Sequence, residues 1–258
     1  MTLSLGHLPQ VLLLVIARIM GIVALTPFYG GARLSPRMRV AFALAMAVAI
    51  LPTLPESWMT AARGMNDFGT LAYAMGAELF LGVGTALICN IFVAVLDFAG
   101  ANVGRASALM MARSVDPIGG ASNPLTTQLL QTIFILLFLL FDGHLALLRI
   151  LALSFQAGPR LPDPGQTAAA AAIVGLGSRL FTLGLTLALP VMGAALIVNA
   201  SFGLIGRLAP DFNILFLALP FRLLAGIGML AFTLQFGSDF FERLSVEMLE
   251  AVAGFLGG

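Results

Sequence analysis

Asp142 and His144 are the two residues whose types and spacing come closest to those of an acid–base site. A carboxylate beside an imidazole can orient the ring and favour its charged form, as general acid–base chemistry requires. The same side chains also form ordinary hydrogen bonds across a helix interface. The sequence favours this second, structural interpretation, and an intramembrane enzyme stays open as the alternative.

Other patterns that carry chemistry do not occur in the sequence. It has no His-Glu-x-x-His zinc motif, no phosphate-binding Gly-x-x-x-x-Gly-Lys loop and no Gly-x-Ser-x-Gly turn. His7 and His144 are the only histidines, and Cys89 is the only cysteine. A formal net charge of +1 gives no electrostatic footprint for nucleic acid. We therefore expect a protein that is not an enzyme and has no cofactor, metal or nucleic-acid partner.

Asp97, Arg105 and Arg113 are ionisable residues in an otherwise apolar stretch. Charged groups in such a stretch usually face a bundle interior or a cavity. They suggest either a path for protons or ions, or a structural ion pair. The lack of a second acidic residue nearby favours the ion pair. On the same reasoning, five residues are expected to be buried polar anchors: Asp97, Arg105, Asp142, His144 and Arg207.

The composition indicates a membrane-type protein. Of the 258 residues, 60% are hydrophobic and 10% are charged, whereas an ordinary soluble domain carries about 25% charged residues. Several charge-free runs reach the roughly 20 residues that a spanning helix needs. The sequence predicts an all-α fold of long, kinked helices and helical hairpins, with Pro190 as one expected kink.

Residues 68–112 predict one unusually long helix. They contain no proline, and a single helix of this length would be about 65 Å long, whereas a hydrocarbon core is about 30 Å thick. Such a helix is either broken at glycines or projects beyond the bilayer.

The order of segments along the chain suggests one subunit in two parts. The proline-rich residues 158–166 predict a linker between an N-terminal helical part, 1–157, and a C-terminal helical hairpin part, 167–258. The first ten residues lack a basic region and predict a retained N-terminus.

Small residues recur at every fourth position near the end of this long segment. Residues at that spacing share one helix face, and small side chains let two helices approach closely. The predicted helix-packing ridge consists of Gly100, Gly104, Ala108 and Ala112.

A polar loop follows this ridge and separates two apolar segments. Non-helical backbone at membrane depth is tolerated only where protein buries it or where it lines a cavity. The loop therefore either lies at a membrane edge or enters a pore, and the methionines at its start suit a deformable contact. The candidate loop residues are Met110, Met111, Arg113, Ser114, Val115, Asp116, Pro117, Ile118, Gly119, Gly120, Ala121, Ser122, Asn123 and Pro124.

Motifs spread over almost the whole chain match one protein family. The motifs are Arg18, Thr26-Pro27, Ala99-Gly100, Val115-Asp116-Pro117, Phe141-Asp142-Gly143-His144, Ala188-Leu189-Pro190 and Gly206-Arg207-Leu208-Ala209-Pro210. On these motifs the chain resembles the FliR/SctT family of type III secretion export-gate subunits, with the flagellar branch preferred over the injectisome branch.

The resemblance implies a structural subunit of the export gate in the bacterial inner membrane, at the flagellar basal body. Such a subunit assembles with FliP-like and FliQ-like proteins into a helical, closed-pore complex, and an FlhB-like switch protein attaches to that complex. Unfolded export substrates pass through the pore, and lipid contacts the outside. The resemblance also implies that residues 106–125 form a loop that enters and plugs the pore.

The chain departs from the family pattern at two places. Ala106-Ser107-Ala108 stands where relatives often carry Gln-x-Gly, and Asp211 stands where glutamine often follows the proline. Two alternatives to a flagellar gate subunit stay open. One is an injectisome homologue, and the other is a small secondary transporter whose helices are broken at Pro190 and Pro220.

Overall fold

The chain folds into α-helices throughout the part that the structure, a computed structural model, describes. This part comprises residues 8–27, 35–65, 67–109, 125–156, 158, 167–208 and 213–257. Within it lie α1 Leu8–Leu25, α2 Pro36–Ile50, α3 Glu56–Gly64, α4 Phe68–Ala106, α5 Leu125–Leu140, α6 Gly143–Gln156, α7 Thr167–Leu208, α8 Ile214–Phe236 and α9 Ser238–Leu256, with a short 3-10 turn at Leu51–Thr53. No strand occurs in these ranges, so the all-α prediction is confirmed.

Within the described ranges, four stretches are long and apolar enough to cross a membrane. They are Pro36–Thr53, Phe68–Ala106, Gly177–Leu208 and Phe216–Phe236, and the count rises to five if α5 and α6 form one bent span. These stretches confirm the prediction of a membrane-type fold. They differ in burial: within an 18-residue apolar window of each helix, half of the α4 residues are buried within the chain, but only 11% of the α8 residues.

The helix α4 is continuous through its glycines. It has 39 residues and is therefore about 60 Å long, roughly twice the thickness of a hydrocarbon core. Of the two expectations for this segment, projection beyond a bilayer is the one that fits. The helix ends at Ala106 rather than at Ala112, although no proline or glycine interrupts the sequence there.

Local sequence signals explain several helix ends. Ser35 accepts a hydrogen bond from the Met38 amide at 3.4 Å and Pro36 follows it, which is a favourable start for α2. Asp142 separates α5 from α6 in a left-handed conformation with φ of 55°, which aspartate tolerates better than most residues. The proline positions behave differently, since α7 runs through Pro190 and α8 runs through Pro220.

The chain separates into two compact units. The first comprises Met1–Ile91, Phe141–Val174 and Ser245–Gly258, and the second comprises Phe92–Leu140 and Gly175–Leu244. This division follows contacts in space, whereas the predicted parts 1–157 and 167–258 follow chain order. The proposed linker 158–166 lies outside the described residues except for Gly158 and stays a prediction.

The core of the first unit forms around α1. Its apolar residues pack against two alanines of α2, against Trp58 of α3, and against apolar residues of α4 and α6. The fully or almost fully buried members are Val11, Leu14, Val15, Ile19, Ile22, Val23, Ala43, Ala47, Trp58, Ala74, Leu151 and Phe155. The α2 helix contributes only small fully buried side chains, and most of its larger apolar side chains, such as Phe42 and Leu44, are exposed.

The second unit packs around aromatic side chains. Phe134 of α5 lies 6.2 Å from Phe138 and 6.4 Å from Phe241 of α9, measured between ring centroids. Gly184 of α7 meets α4 closely, because a Cβ built there would lie 2.8 Å from Phe98 Cδ1. The second unit therefore holds the C-terminal half of α4 between α5 and α7.

Candidate functional site

The structure describes the base of the predicted plug loop. Every candidate loop residue from Met110 to Pro124 lies outside the described residues, so their role stays a prediction. Both ends of the loop are described: α4 ends at Ala106 and continues as a turn to Leu109, and α5 begins at Leu125. Three contacts within the second unit hold these ends, and we call them together the loop base. They join Gly100 to Thr126 and Thr127, Asp97 to Gln131, and Ser107 to Gly226.

The first contact of the loop base joins α4 to α5 at Gly100. The Thr126 hydroxyl donates a hydrogen bond of 2.7 Å to the Gly100 carbonyl. A Cβ built on Gly100 would lie 2.5 Å from the Cα of Thr127, so only glycine fits. Thr126 and Thr127 are 4% and 2% exposed. The backbones of α4 and α5 are therefore in direct contact close to the two ends of the loop.

The second contact lies further from the loop along the same two helices. The Gln131 amide donates a hydrogen bond of 2.6 Å to the Asp97 carboxylate. Asp97 precedes Gly100 while Gln131 follows Thr127, so α4 and α5 run antiparallel here. Asp97 thus has a neutral amide partner, whereas Arg105 bonds to Asn102 at 2.9 Å. Asp97 and Arg105 are therefore not paired with each other. Arg113, the other candidate partner of Asp97, lies outside the described residues, so the expected ion pair stays a prediction.

The third contact joins the turn after α4 to α8. Ser107 is fully buried, and a Cβ built on Gly226 would lie 2.2 Å from the Ser107 Cβ. Ala108 follows in a left-handed conformation, with φ of 59°. The predicted small-residue ridge is therefore shorter than expected. Gly100 and Gly104 are buried on α4, Ala108 lies past the helix end, and Ala112 lies outside the described residues.

Most of the predicted buried polar anchors are not buried in the chain. Asp97 and His144 are half-buried, whereas Arg105, Asp142 and Arg207 are exposed, which corrects the prediction for these three. Arg105 and Arg207 lie in the last turns of α4 and α7, where a positive charge complements the helix C-terminus. The Asp142 carbonyl accepts bonds from the Leu145 and Ala146 amides, so this residue serves the turn before α6.

The first unit contains a buried ion pair that the sequence pattern did not predict. Arg18 of α1 and Glu78 of α4 are 1% and 0% exposed, with 2.5 Å between Arg18 Nε and Glu78 Oε2. Arg18 Nη1 also donates a hydrogen bond of 2.9 Å to Ser154 of α6. The available signal was the occurrence of one arginine and one glutamate inside two apolar segments.

Aromatic rings complete the surroundings of this guanidinium. Its central carbon lies 4.4 Å from the Phe155 ring centroid and 5.7 Å from that of Trp58. The Trp58 indole donates a hydrogen bond of 2.6 Å to the Phe155 carbonyl. Cation–π contacts of this kind gain strength where water is excluded. Four helices of the first unit therefore meet at one charge.

Close backbone packing lies beside the ion pair. A Cβ built on Gly82 would lie 2.1 Å from the Arg18 carbonyl oxygen, and one on Gly21 would lie 2.8 Å from the Val83 nitrogen. Glu78 and Gly82 are four residues apart, so they share a face of α4. The charge pair and the glycine contact together fix the position of α1 along α4.

Among the described residues, no group of three or more His, Cys, Asp and Glu side chains could hold a metal ion. The helix breaks that motivated a transporter are not found, since α7 and α8 are continuous at Pro190 and Pro220. What the described geometry does provide is firm support for the two ends of a loop.

Comparisons with known proteins cover nearly the whole chain. The sequence model of a family described as "Bacterial export proteins, family 1" matches residues 10–248. The chain is similar to the flagellar biosynthetic protein FliR of Escherichia coli K12, with 27% identity over 240 residues, 93% of this chain and 90% of that protein. Proteins of the same name match from Pectobacterium carotovorum subsp. carotovorum, with 28% identity over 93% of this chain and 90% of the relative, and from Caulobacter vibrioides, with 29% over 86% and 87%.

Replacement of Gly100 by alanine tests the loop base. The new methyl group would overlap the α5 backbone at Thr127, and overpacking of this kind costs about 1–3 kcal/mol. We expect a lower thermal unfolding midpoint of the purified chain in mild detergent. Gly76→Ala is the matched control on the same helix, because nothing lies within 4 Å of its Cβ position. Equal midpoints for the two variants would contradict the assigned contact.

Replacement of Glu78 by alanine tests the ion pair. The change leaves Arg18 buried without its carboxylate, and breaking such a pair costs about 3–5 kcal/mol of unfolding free energy. Glu242→Ala, at an exposed position of α9, is the control and should change little. The double variant Arg18→Leu/Glu78→Leu removes both charges and should be more stable than Glu78→Ala in a denaturant titration. A double variant that is less stable than Glu78→Ala would refute the assignment.

Proposed function

The chain belongs to the bacterial export proteins, family 1, and on that premise we propose that it is a pore-forming and pore-closing subunit of the flagellar type III export gate. In this role it supports the export of unfolded flagellar proteins across the inner membrane at the basal body, without catalysing a reaction. The family match over residues 10–248 supports an export role, and the flagellar names of the relatives favour the flagellar branch over an injectisome homologue.

The loop base is the single observation that supports the closing role most directly. A loop that blocks a pore needs both ends held firmly while its middle moves. Gly100, Thr126 and Thr127 hold the two ends through direct backbone contact. Residues 113–124 comprise five polar residues, two glycines, two prolines and only three apolar residues. A loop of this composition has few large apolar side chains to bury, so its displacement costs little. This combination suits a plug whose opening does not unfold the helices around it.

Exposed apolar surface supports an assembled rather than an isolated subunit. Only 11% of an 18-residue apolar window of α8 is buried, and Phe216 and Leu224 are 76% and 68% exposed. Apolar patches of this extent mark contacts with protein partners or lipid. We assign them to FliP-like and FliQ-like gate subunits, to an FlhB-like switch protein and to membrane lipid. The α2 helix, with 11% of its stretch buried, has the same need for a partner.

Deletion of residues 118–122 tests the closing role. Shortening the loop by five residues should leave the pore incompletely blocked, so the small-ion leak of membranes containing the assembled gate should rise severalfold. The matched control removes the five residues 161–165 from the proline-rich segment and should leave the leak at the parent level.

Two outcomes of this experiment would contradict the proposal in different ways. An unchanged leak in a gate that still assembles would remove the plug assignment but not the family membership. A rise of equal size in both deletion variants would show that the leak reports general damage to the gate.

A further inference from the structure

The sequence does not dictate the end of α4 at Ala106. The following residues, Ser107-Ala108-Leu109-Met110-Met111, include good helix formers and contain neither glycine nor proline. Helices commonly end with a glycine or an asparagine in the left-handed conformation. Here Ala108 adopts that conformation, with φ of 59°, which is unfavourable for any residue with a Cβ. An influence from outside the local sequence therefore stops the helix.

Ser107, the first residue after α4, packs closely against α8. It is fully buried, and a Cβ built on Gly226 would lie 2.2 Å from its Cβ and 2.9 Å from its Cα. The Ser107 hydroxyl also donates a hydrogen bond of 2.7 Å to the Val103 carbonyl of α4. Gly226 thus forms a seat for Ser107, because the Ser107 Cβ and Cα occupy the space that a side chain at position 226 would need.

We propose that Ser107, Ala108 and Leu109 form a two-state turn controlled by α8. When Gly226 of α8 is seated against Ser107, the turn is held with Ala108 left-handed and α4 stops at Ala106. When α8 moves away, Ala108 relaxes to the right-handed conformation and α4 lengthens by several residues. The two states differ in the direction in which the chain leaves α4. A movement of α8 would thereby change the direction of the residues that follow Leu109.

The consequence for export rests on the proposed function. If residues 110–124 close a pore, the turn links closure to the position of α8, a helix that offers most of its surface to partners. The turn itself is a property of the described residues and exists whether or not the loop is a plug. The experiment must therefore report on the turn without using ion leak or export.

A distance measurement between spin labels on Leu109→Cys and Leu125→Cys tests the turn in the full chain, purified with its gate partners. The native Cys89 is fully buried and can be kept. Gly226→Ala pushes Ser107 from its seat, so the main distance should shift by about 5 Å, the length of one helical turn. Gly228→Ala is the matched control on the same helix, since nothing lies within 4 Å of its Cβ position, and it should keep the parent distance.

Variants at Ala108 test the second half of the proposal. Ala108→Gly favours the left-handed conformation, so it should return the Gly226→Ala chain towards the parent distance. Ala108→Val disfavours that conformation while leaving Gly226 intact, and it should shift the distance alone, which keeps the test valid if Gly226→Ala fails to fold. The proposal is overturned if Gly226→Ala matches Gly228→Ala, if Ala108→Gly restores nothing, or if Ala108→Val keeps the parent distance. An unchanged ion leak after the loop deletion would contradict the plug and leave these distances unaffected.

Discussion

Close approach of other helices to α4 at its glycines is the constraint on which the rest of the structure depends. In the first unit, α1 touches the α4 backbone at Gly82, and the Phe255 ring of α9 lies over Gly84. In the second unit, α5 touches it at Gly100. Apolar side chains alone give little specificity inside a membrane, because lipid is as apolar as leucine. Because glycine has no side chain, each of these positions leaves a space on α4 that determines which helix packs there and at which position along α4.

The ion pair adds a second kind of specificity to the first unit. Two charges withdrawn from water are costly unless they meet in one geometry. Arg18 and Glu78 satisfy each other only when α1 has one position along α4, which is also the position that places Gly21 against α4. Any other register would leave a charge unpaired in an apolar interior. We therefore attribute the fixed position of α1 along α4 to two contacts acting together, the Arg18–Glu78 ion pair and the close approach at Gly21.

The sequence predicted the helical segments well because apolar composition and turn residues are local signals. It predicted an overlong helix from residue 68 onward, and α4 is that helix. It did not predict the pairing of Arg18 with Glu78, which are 60 residues apart, since pairing depends on which helices meet. It also misplaced Arg105 and Arg207, because the sequence shows an arginine near apolar residues but not that each occupies an exposed last turn.

The candidate site shows the same difference between local patterns, which a sequence reveals, and contacts between distant residues, which it does not. The polar loop and the small residues before it were visible as local patterns, and Gly100 does mediate a close helix contact. The packing of Ser107 against Gly226 was not visible, since the two residues are more than 100 positions apart in the sequence. Under the proposed two-state turn this tertiary contact ends α4, and a contact between distant residues leaves no local pattern in the sequence.

If the chain closes the gate as proposed, the loop between α4 and α5 lies in the path of exported protein, and site-specific photocrosslinking can detect this position. A photoreactive amino acid at residue 118 of the assembled gate should crosslink to an export substrate stalled in transit. The same probe at Phe68, an 85% exposed residue at the opposite end of α4, should not. A substrate shown to be stalled in the gate that crosslinks at residue 68 but not at residue 118 would contradict the account.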